Sequence, residues 1–346
     1  MMEIGLSTFG DMLPEPLTGG AVRSAKRVQQ LLEEIQLADA VQLDVFALGE
    51  HHRPDFVISA PEVLLAAAAA TTKNIRLSSA VTVLSSADPV RTYQNFATVD
   101  LISKGRTEIM AGRGSFIESF PLFGYDLRDY DSLFEEKLDL LLKINASEKV
   151  KWKGRHRPEI DQLGVYPRPF QAQLPIWIGV GGTPESAIRA GELGLPMMIA
   201  ILGGPPERFS AFSNWYREAA TTAGHQLSEL QLGINTHYYA ADTDEQAIEE
   251  FYPAYAQLMN RVGQERGWAP LNREQFEYNR LYGPLMVGSP DFIVEKLLRL
   301  HRIFGQTRYM AQLVGGAGLN HRQTLHAIQL LGEKIAPAVR QSLKAV

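Results

Sequence analysis

The chain has 346 residues, of which 45% are hydrophobic and 21% are charged, a balance typical of a globular enzyme. A formal net charge of −5, without basic runs interleaved with aromatics, argues against a nucleic-acid partner. Cysteine is absent, which excludes thiol nucleophiles, disulfides and thiolate-bound metals. Because no apolar run is long enough for a transmembrane helix or forms a signal peptide, we expect a cytoplasmic protein that does not enter membranes.

Strand and helix signals alternate along the whole chain. Apolar runs predict eight strands, at 4–8, 45–48, 75–84, 107–111, 175–178, 195–201, 231–239 and 308–314. Helical spacing of apolar residues, together with proline and aspartate at helix starts, predicts helices at 27–42, from 61, 89–102, 131–145, 184–192, 206–223, 244–261, 289–303 and 322–343. Eight βα units without linkers predict an α/β fold, a single TIM-type (β/α)8 barrel over 1–346. An open, doubly wound sheet is the alternative.

Two segments depart from the repeat. Residues 147–174, between the fourth predicted helix and the fifth strand, lack helical spacing and predict a short hairpin or lid. Residues 262–288, before the last βα units, are polar and predict an irregular insertion. Both are interpreted as insertions into one barrel.

A cluster of titratable side chains follows the second predicted strand, in the order Glu50-His51-His52-Arg53. In barrels of this type the carboxyl ends of the strands form the reactive face. An imidazole with an ordinary pKa near 6.5 is suited to moving protons. Neighbouring residues on an extended segment point to opposite faces, so we predict no metal site shared by the two histidines. The alternative is a hydrogen-bonded loop that only caps the strand.

Two other strand ends predict a phosphate site. Arg113 stands between two glycines after the fourth strand, and a guanidinium can bind two phosphate oxygens. The turn Gly181-Gly182-Thr183, followed by Ser186, leads from the fifth strand into a helix whose amides can bind an anion. Taken singly, Arg113 could instead pair with a carboxylate, and the glycines could be an ordinary turn. Small residues at Ala80-Val81-Thr82 would let a flat ring lie against the barrel, although alone they predict only a buried strand.

Several motifs in colinear order, over about residues 2 to 200, resemble the bacterial luciferase-like flavin-dependent monooxygenases. The chain is most similar to an FMN-dependent branch of that family and not to its light-emitting members. The motifs are Glu50-His51-His52, Ala80-Val81-Thr82, Asp88-Pro89-Val90-Arg91, Ser103-Lys104-Gly105-Arg106, Gly112-Arg113-Gly114, Pro175-Ile176-Trp177-Ile178 with its glycine turn, and Gly194-Leu195-Pro196-Met197.

The resemblance implies reduced FMN at the mouth of the barrel. Arg113 would hold its phosphate together with the amides of Gly181 and Gly182 and with Thr183 or Ser186. Ala80-Val81 matches a non-prolyl cis peptide beside the flavin ring. His51 matches the catalytic histidine, with Glu50 as its acidic neighbour. Gly112 stands where luciferase has a reactive cysteine, which argues against light emission.

The implied activity is an FMN-dependent monooxygenation, in which reduced FMN and O2 form a flavin hydroperoxide that oxygenates a small, largely apolar aldehyde- or ketone-like compound. Because no dinucleotide fingerprint is present, we expect a separate NAD(P)H:flavin reductase as a partner. The resemblance also implies a homodimer. The alternatives are a deazaflavin (F420)-dependent dehydrogenase or reductase and a non-catalytic flavin-binding protein.

Overall fold

The computed structural model describes residues 2–12, 20–314 and 318–344. Its strands, in chain order, are β1 Glu3–Thr8, β2 Val45–Leu48, β3 Arg76–Ser79, β4 Thr82–Val83, β5 Thr107–Gly112, β6 Lys149–Trp152, β7 Ile160–Gly164, β8 Ile176–Val180, β9 Met197–Ala200, β10 Leu232–Ala240, β11 Met286–Gly288 and β12 Arg308–Leu313. Eight of these strands pair in parallel in the closed order β1, β2, β3, β5, β8, β9, β10, β12. The predicted TIM-type barrel is therefore confirmed, and the open-sheet alternative is wrong.

Helices surround the barrel between the strands. They are α1 Gly20–Ala40, α2 Pro61–Thr71, α3 Pro89–Ser103, α4 Ser119–Phe123, α5 Tyr130–Ala146, α6 Pro184–Glu192, α7 Ser210–Thr222, α8 Asp244–Arg266, α9 Arg273–Leu281, α10 Pro290–Phe304, α11 His321–Leu330 and α12 Ala336–Lys344. A π-helical turn joins α11 to α12. Within the described ranges, no helix combines the length and the apolar character that crossing a bilayer requires.

The strand register fixes which residues face the inside of the barrel. We can trace the register by moving from Glu108 of β5 to its paired residue on each next strand around the barrel. After one full circuit the register returns to β5 level with Phe116. This offset of about eight residues is the shear number of TIM barrels. Near the start of the strands, the buried Arg308 pairs with Glu108 at 2.5 Å and lies 4.0 Å from the ring of Trp177. The base of the barrel is thus a packed core, and chemistry is left to the opposite mouth.

Two predicted segments differ from the observed structure. The prediction of an irregular segment over 262–288 is corrected by the last residues of α8, by α9 and by β11, which pairs with β10. The strand predicted over 75–84 is divided into β3 and β4 by a cis peptide bond between Ala80 and Val81.

The segment 147–174 contains the antiparallel hairpin β6–β7. It packs along α5, where the indole of Trp152 donates to Asp139 at 2.9 Å. Near its tip, Arg157 donates to Asp88 at 2.7 Å, at the start of α3. The hairpin is therefore anchored on the helices beside the barrel.

Candidate active site

All the residues singled out in the sequence lie at the carboxyl ends of barrel strands. Glu50 and His51 follow β2, Ala80 to Thr82 follow β3, Arg113 follows β5, and 181–186 follow β8. Because parallel strands end at one rim, these side chains meet at the same mouth. They form two groups, one around Arg113 and one around His51.

The first group is an anion pocket built from β5 and β8. The Arg113 Nη2 donates to Thr183 Oγ1 at 2.5 Å and to Ser186 Oγ at 3.0 Å, and the two hydroxyls lie 2.8 Å apart. Thr183 precedes α6 without capping it through its side chain, and because Pro184 has no N–H and the Ser186 N–H donates to Thr183 O at 3.1 Å, the first amide of α6 that can serve a ligand is that of Glu185. A Cβ placed on Gly181 or Gly182 would meet nothing within 4 Å, which shows open space beside this turn. One guanidinium, two hydroxyls and the backbone amides at this turn are donors of the kind that a phosphate accepts.

Arg113 also contacts a carboxylate, which the sequence left open as an alternative. Its Nη1 lies 2.5 Å from Asp131 Oδ1, and the Asp131 side chain is 70% exposed. Exposed ion pairs of this kind contribute at most about 1 kcal/mol. A phosphate in the pocket would therefore compete with a weakly held carboxylate.

Between the two groups lies a wall of small residues around the cis Ala80–Val81 bond, at the position that the resemblance implies. The side chain of Val81 covers Gly112 and Gly179, because a Cβ on either glycine would come within 2.6 or 2.7 Å of it. A cysteine at position 112 would overlap Val81 in the same way. Thr82 belongs to the support of this wall, since its buried hydroxyl donates to Ser79 Oγ at 2.9 Å.

The second group is a buried imidazole enclosed by aromatic rings. The ring centroid of His51 lies 4.2 Å from Phe9, 4.7 Å from Phe56 and 4.8 Å from Phe116. Burial, followed by the neighbouring positive charges of Arg53, His52 and Arg266, lowers the pKa of His51 to about 3. The ordinary pKa assumed from sequence therefore does not hold, and His51 is neutral at physiological pH.

Glu50 acts on the backbone and on His52, and its carboxylate does not contact His51. One oxygen lies 2.8 Å from His52 Nε2, and the other accepts the amide hydrogen of Val83 at 2.9 Å. It thereby ties the loop after β2 to β4, directly beyond the cis peptide. The contacts of Glu50 thus hold the His52 ring and the start of β4 in place.

A network of charges closes the aromatic enclosure from outside. The guanidinium of Arg53 donates to Glu118 at 2.6 Å, to Asp55 at 3.1 Å and to Glu265 at 2.6 Å. It also lies 4.6 Å from the ring of Phe116. The loops after β2 and β5 are thus joined to the end of α8, which keeps the rings packed around His51.

Sequence reasoning missed several residues of this mouth. Asp131, Phe9 and Phe56 lie outside the motifs, and no sequence spacing relates them to Arg113 or His51. His237 was counted as part of an apolar strand, yet it follows Gly233 and Asn235 at alternate positions of β10. Gly233, Asn235 and His237 thus lie on one face of β10, and this run of small and polar residues was the sequence signal that could have placed His237 at the site.

A TIM barrel that presents a phosphate pocket, a flat wall and an enclosed neutral imidazole at one mouth fits the class of barrel enzymes that use a planar, phosphate-bearing cofactor. The family model of the luciferase-like monooxygenases matches residues 2–307, and the chain belongs to this family. It is accordingly a flavin-dependent oxidoreductase.

Relatives of known sequence are distant but cover most of the chain. An uncharacterized protein of Sinorhizobium fredii, y4vJ, is 25% identical over 92% of this chain and 94% of its own length. Limonene 1,2-monooxygenase of Rhodococcus erythropolis is 23% identical over 90% of this chain and 81% of its own.

Solved structures share the fold at lower identity. The monooxygenase RslO1 from Streptomyces bottropensis superimposes with a TM-score of 0.85 at 21% identity, covering 97% of this chain and 99% of that one. The oxygenating constituent of 3,6-diketocamphane monooxygenase from Pseudomonas putida, in complex with FMN, gives 0.78 at 21% identity, covering 98% and 99%. An F420-dependent secondary alcohol dehydrogenase, in complex with an F420–acetone adduct, gives 0.74 at 18% identity, also covering 98% and 99%.

Proposed function

We propose that the protein is an FMN-dependent monooxygenase that uses reduced FMN and O2 to oxygenate a small, largely apolar aldehyde- or ketone-like compound. The observation that carries this proposal is the convergence of Arg113, Thr183 and Ser186 beside the open turn at Gly181 and Gly182. This pocket shares its barrel mouth with the enclosed His51.

The residues present fit FMN. Arg113, the two hydroxyls and the amides of Gly181 and Gly182 would hold the phosphate, and the wall formed by Val81, Gly112 and Gly179 would support the ring. When bound in its reduced state, FMN supplies the electrons that activate dioxygen. The similar structure that contains FMN supports this choice of cofactor.

The protein's own contribution is to exclude water and to place a neutral donor. Phe9, Phe56 and Phe116 surround His51, so a reacting group beside it would be held away from solvent. With its pKa lowered to about 3, His51 keeps one N–H and one free nitrogen across the physiological range. Its ring can therefore donate a hydrogen bond to an oxygen atom of the substrate or take up a proton transiently.

F420-dependent hydride transfer is the second candidate, supported by the similar F420-dependent structures. It would use the same mouth but consume no oxygen. A non-catalytic flavin-binding protein is the third candidate, and it would bind FMN without turnover.

The deciding experiment titrates the purified protein with FMN and F420, then assays the reduced cofactor in air with a separate flavin reductase and a panel of aldehydes and ketones. We expect FMN to bind at least about tenfold tighter than F420 and ¹⁸O from labelled O2 to enter the product. Tighter binding of F420 with oxygen-independent reduction would establish the second candidate. Binding of FMN without any product would leave the third.

The separate reductase and the homodimer belong to this proposal. Support for a dimer comes from α2 and α3, which pack together and expose Val63, Leu101 and Ile102 to solvent. Sedimentation of the purified protein tests it, with twice the 38.4 kDa of one chain as the expected mass.

A further inference from the structure

A second buried histidine, His237, lies across the barrel mouth from His51. It occupies β10, and in the closed order β12 and β1 separate β10 from β2. Asn235, two residues earlier on the same face of β10, donates to Ser7 Oγ of β1 at 2.8 Å. Because alternate residues of a strand share a face, His237 points into the barrel mouth.

A hydrogen bond to a buried tyrosine fixes which nitrogen of His237 carries the proton. The Nδ1 lies 2.9 Å from the hydroxyl of Tyr255, and burial raises the pKa of that hydroxyl, so it stays protonated. In the part of the chain that the structure describes, His237 is the one side chain to which this hydroxyl is bonded. If the hydroxyl instead accepted from Nδ1, its own hydrogen would lack an acceptor among the described residues, so the hydroxyl is assigned as the donor to Nδ1 and the ring hydrogen to Nε2.

The remaining Nε2–H has no bonding partner among the described residues, yet His237 borders a small cavity. The cavity holds about 10 Å³, enough for one water-sized group. It carries no charged side chain, and burial lowers the pKa of His237 to about 4, so the ring is also neutral. The other residues that line it are Ile201, Leu202, Tyr255, Asn279, Pro284 and Leu285.

We propose that His237 is a specificity-determining residue whose Nε2–H receives the carbonyl oxygen of a neutral ketone or aldehyde. A lone oxygen atom matches the size of the cavity, and a lining with neutral polar groups from His237 and Asn279 but no charge matches its chemistry. A carboxylate or an ammonium group would be desolvated here without a counter-charge and is rejected. The proposal rests on the proposed function, because it names the group by which the substrate of that reaction is held.

The test observes the histidine nitrogens directly by NMR on ¹⁵N-labelled protein, with and without oxidised FMN. The probes are cyclohexanone and 2-heptanone, each compared with the hydrocarbon that lacks the oxygen, cyclohexane or heptane, and cyclohexanecarboxylate serves as the charged probe. His237→Gln identifies the His237 signal by its loss. The expected result is a proton on Nε2 in the free protein and a shift of that signal with at least one ketone, but with neither hydrocarbon nor the carboxylate.

Two variants separate the hydrogen bond from simple packing. His237→Leu replaces the imidazole by an apolar side chain of similar length and removes the N–H donor. The dissociation constant of the ketone should therefore rise about tenfold, as the loss of one buried hydrogen bond implies. Tyr255→Phe keeps the ring but removes the hydroxyl that fixes the tautomer, so the Nε2–H signal should split between both nitrogens. Melting curves establish that both variants fold.

The proposal is overturned if neither ketone shifts the His237 signal, or if a ketone that shifts it binds His237→Leu as tightly as the parent protein. Tighter binding of the carboxylate also overturns it. Failure of the proposed function is a separate result, because it would appear as absence of FMN binding or of oxygenated product, whereas the nitrogen signals report ketone binding in samples without flavin.

Discussion

Burial decides what the two imidazoles at the barrel mouth can do. The pKa of His51 is lowered to about 3 and that of His237 to about 4, in both cases first of all by desolvation. Between pH 5 and 9 neither ring carries a charge, so neither can act as a resident acid. Each ring can instead offer a fixed N–H donor to a bound ligand, and His51 also offers an unprotonated nitrogen that is shielded from water.

Replacing His51 by alanine should reduce turnover about 10²-fold, the usual effect of losing a positioned proton-handling group. The dissociation constant of FMN should stay within about twofold, because the phosphate pocket lies on β5 and β8. Steady-state kinetics and FMN titration of His51→Ala measure both quantities.

The pH profile gives a second check on His51. Because its pKa is lowered, His51 stays neutral as the pH falls from 8 to 5. The kcat/KM of the parent protein should therefore show no decrease near pH 6.5 that could be assigned to His51 by its absence in His51→Ala. Unchanged turnover in the variant would remove His51 from the mechanism, and such a loss near pH 6.5 would contradict its burial.

At the scale of elements, a lysine holds the loop that lines the His237 cavity. From α10, Lys296 Nζ donates to the carbonyl oxygens of Gly283 at 3.0 Å and Leu285 at 2.8 Å, and also to that of Arg280. These carbonyls lie in the last turn of α9 and in its connection to β11. The Lys296 amino group, whose pKa burial lowers to about 7, thus links α10 to this part of the chain through three hydrogen bonds.

Replacing Lys296 by methionine keeps most of the apolar stem and removes the three hydrogen bonds. We expect the free energy of unfolding to fall by about 1–3 kcal/mol and amide exchange to accelerate over residues 279–288. The neighbouring Arg299→Met, which removes an exposed ion pair with Glu207, is the matched control and should change little. Equal exchange in both variants would show that the lysine does not hold the loop.

The barrel was predictable from sequence because each βα unit carries its own apolar spacing. The helix α9 was not, since only Phe276 and Arg280 of its residues are buried and the rest are polar or exposed. Its one local signal was Asn272, which accepts the amide hydrogen of Gln275 at 2.8 Å as an N-cap. The interruption between β3 and β4 was visible only through the resemblance, because apolar composition does not report the isomer of a peptide bond.

The candidate site also has a part that the sequence predicted and a part that it did not. Arg113 and Thr183 are 70 positions apart and were brought together in prediction because strand ends share one rim. The aromatic enclosure of His51 and the bond between His237 and Tyr255 were not predicted, since they join loops and helices whose approach depends on the folded barrel. Motifs thus predicted the parts at strand ends, and tertiary packing supplied the rest.

For the whole molecule, the closed barrel separates stability from chemistry. The pair of Arg308 and Glu108 fills the base with charges that are fully buried and matched. The mouth places the phosphate pocket on β5 and β8, with His51 and His237 on other strands of the ring. In the proposed function, a cofactor held at its phosphate end by Arg113 would have its ring on the same mouth as His51, and this grip on the phosphate is the central claim.

The most direct test compares the dissociation constants of FMN and riboflavin, measured by calorimetry, in the parent protein, Arg113→Gln and the matched control Asp131→Asn. Arg113→Gln should weaken FMN about 10- to 100-fold by removing charge-assisted hydrogen bonds to the phosphate, and should leave riboflavin within about twofold. Asp131→Asn, which keeps the guanidinium and removes its competing carboxylate, should bind FMN as tightly as the parent or more tightly. Equal weakening of FMN and riboflavin in Arg113→Gln, or no change in either, would contradict the account.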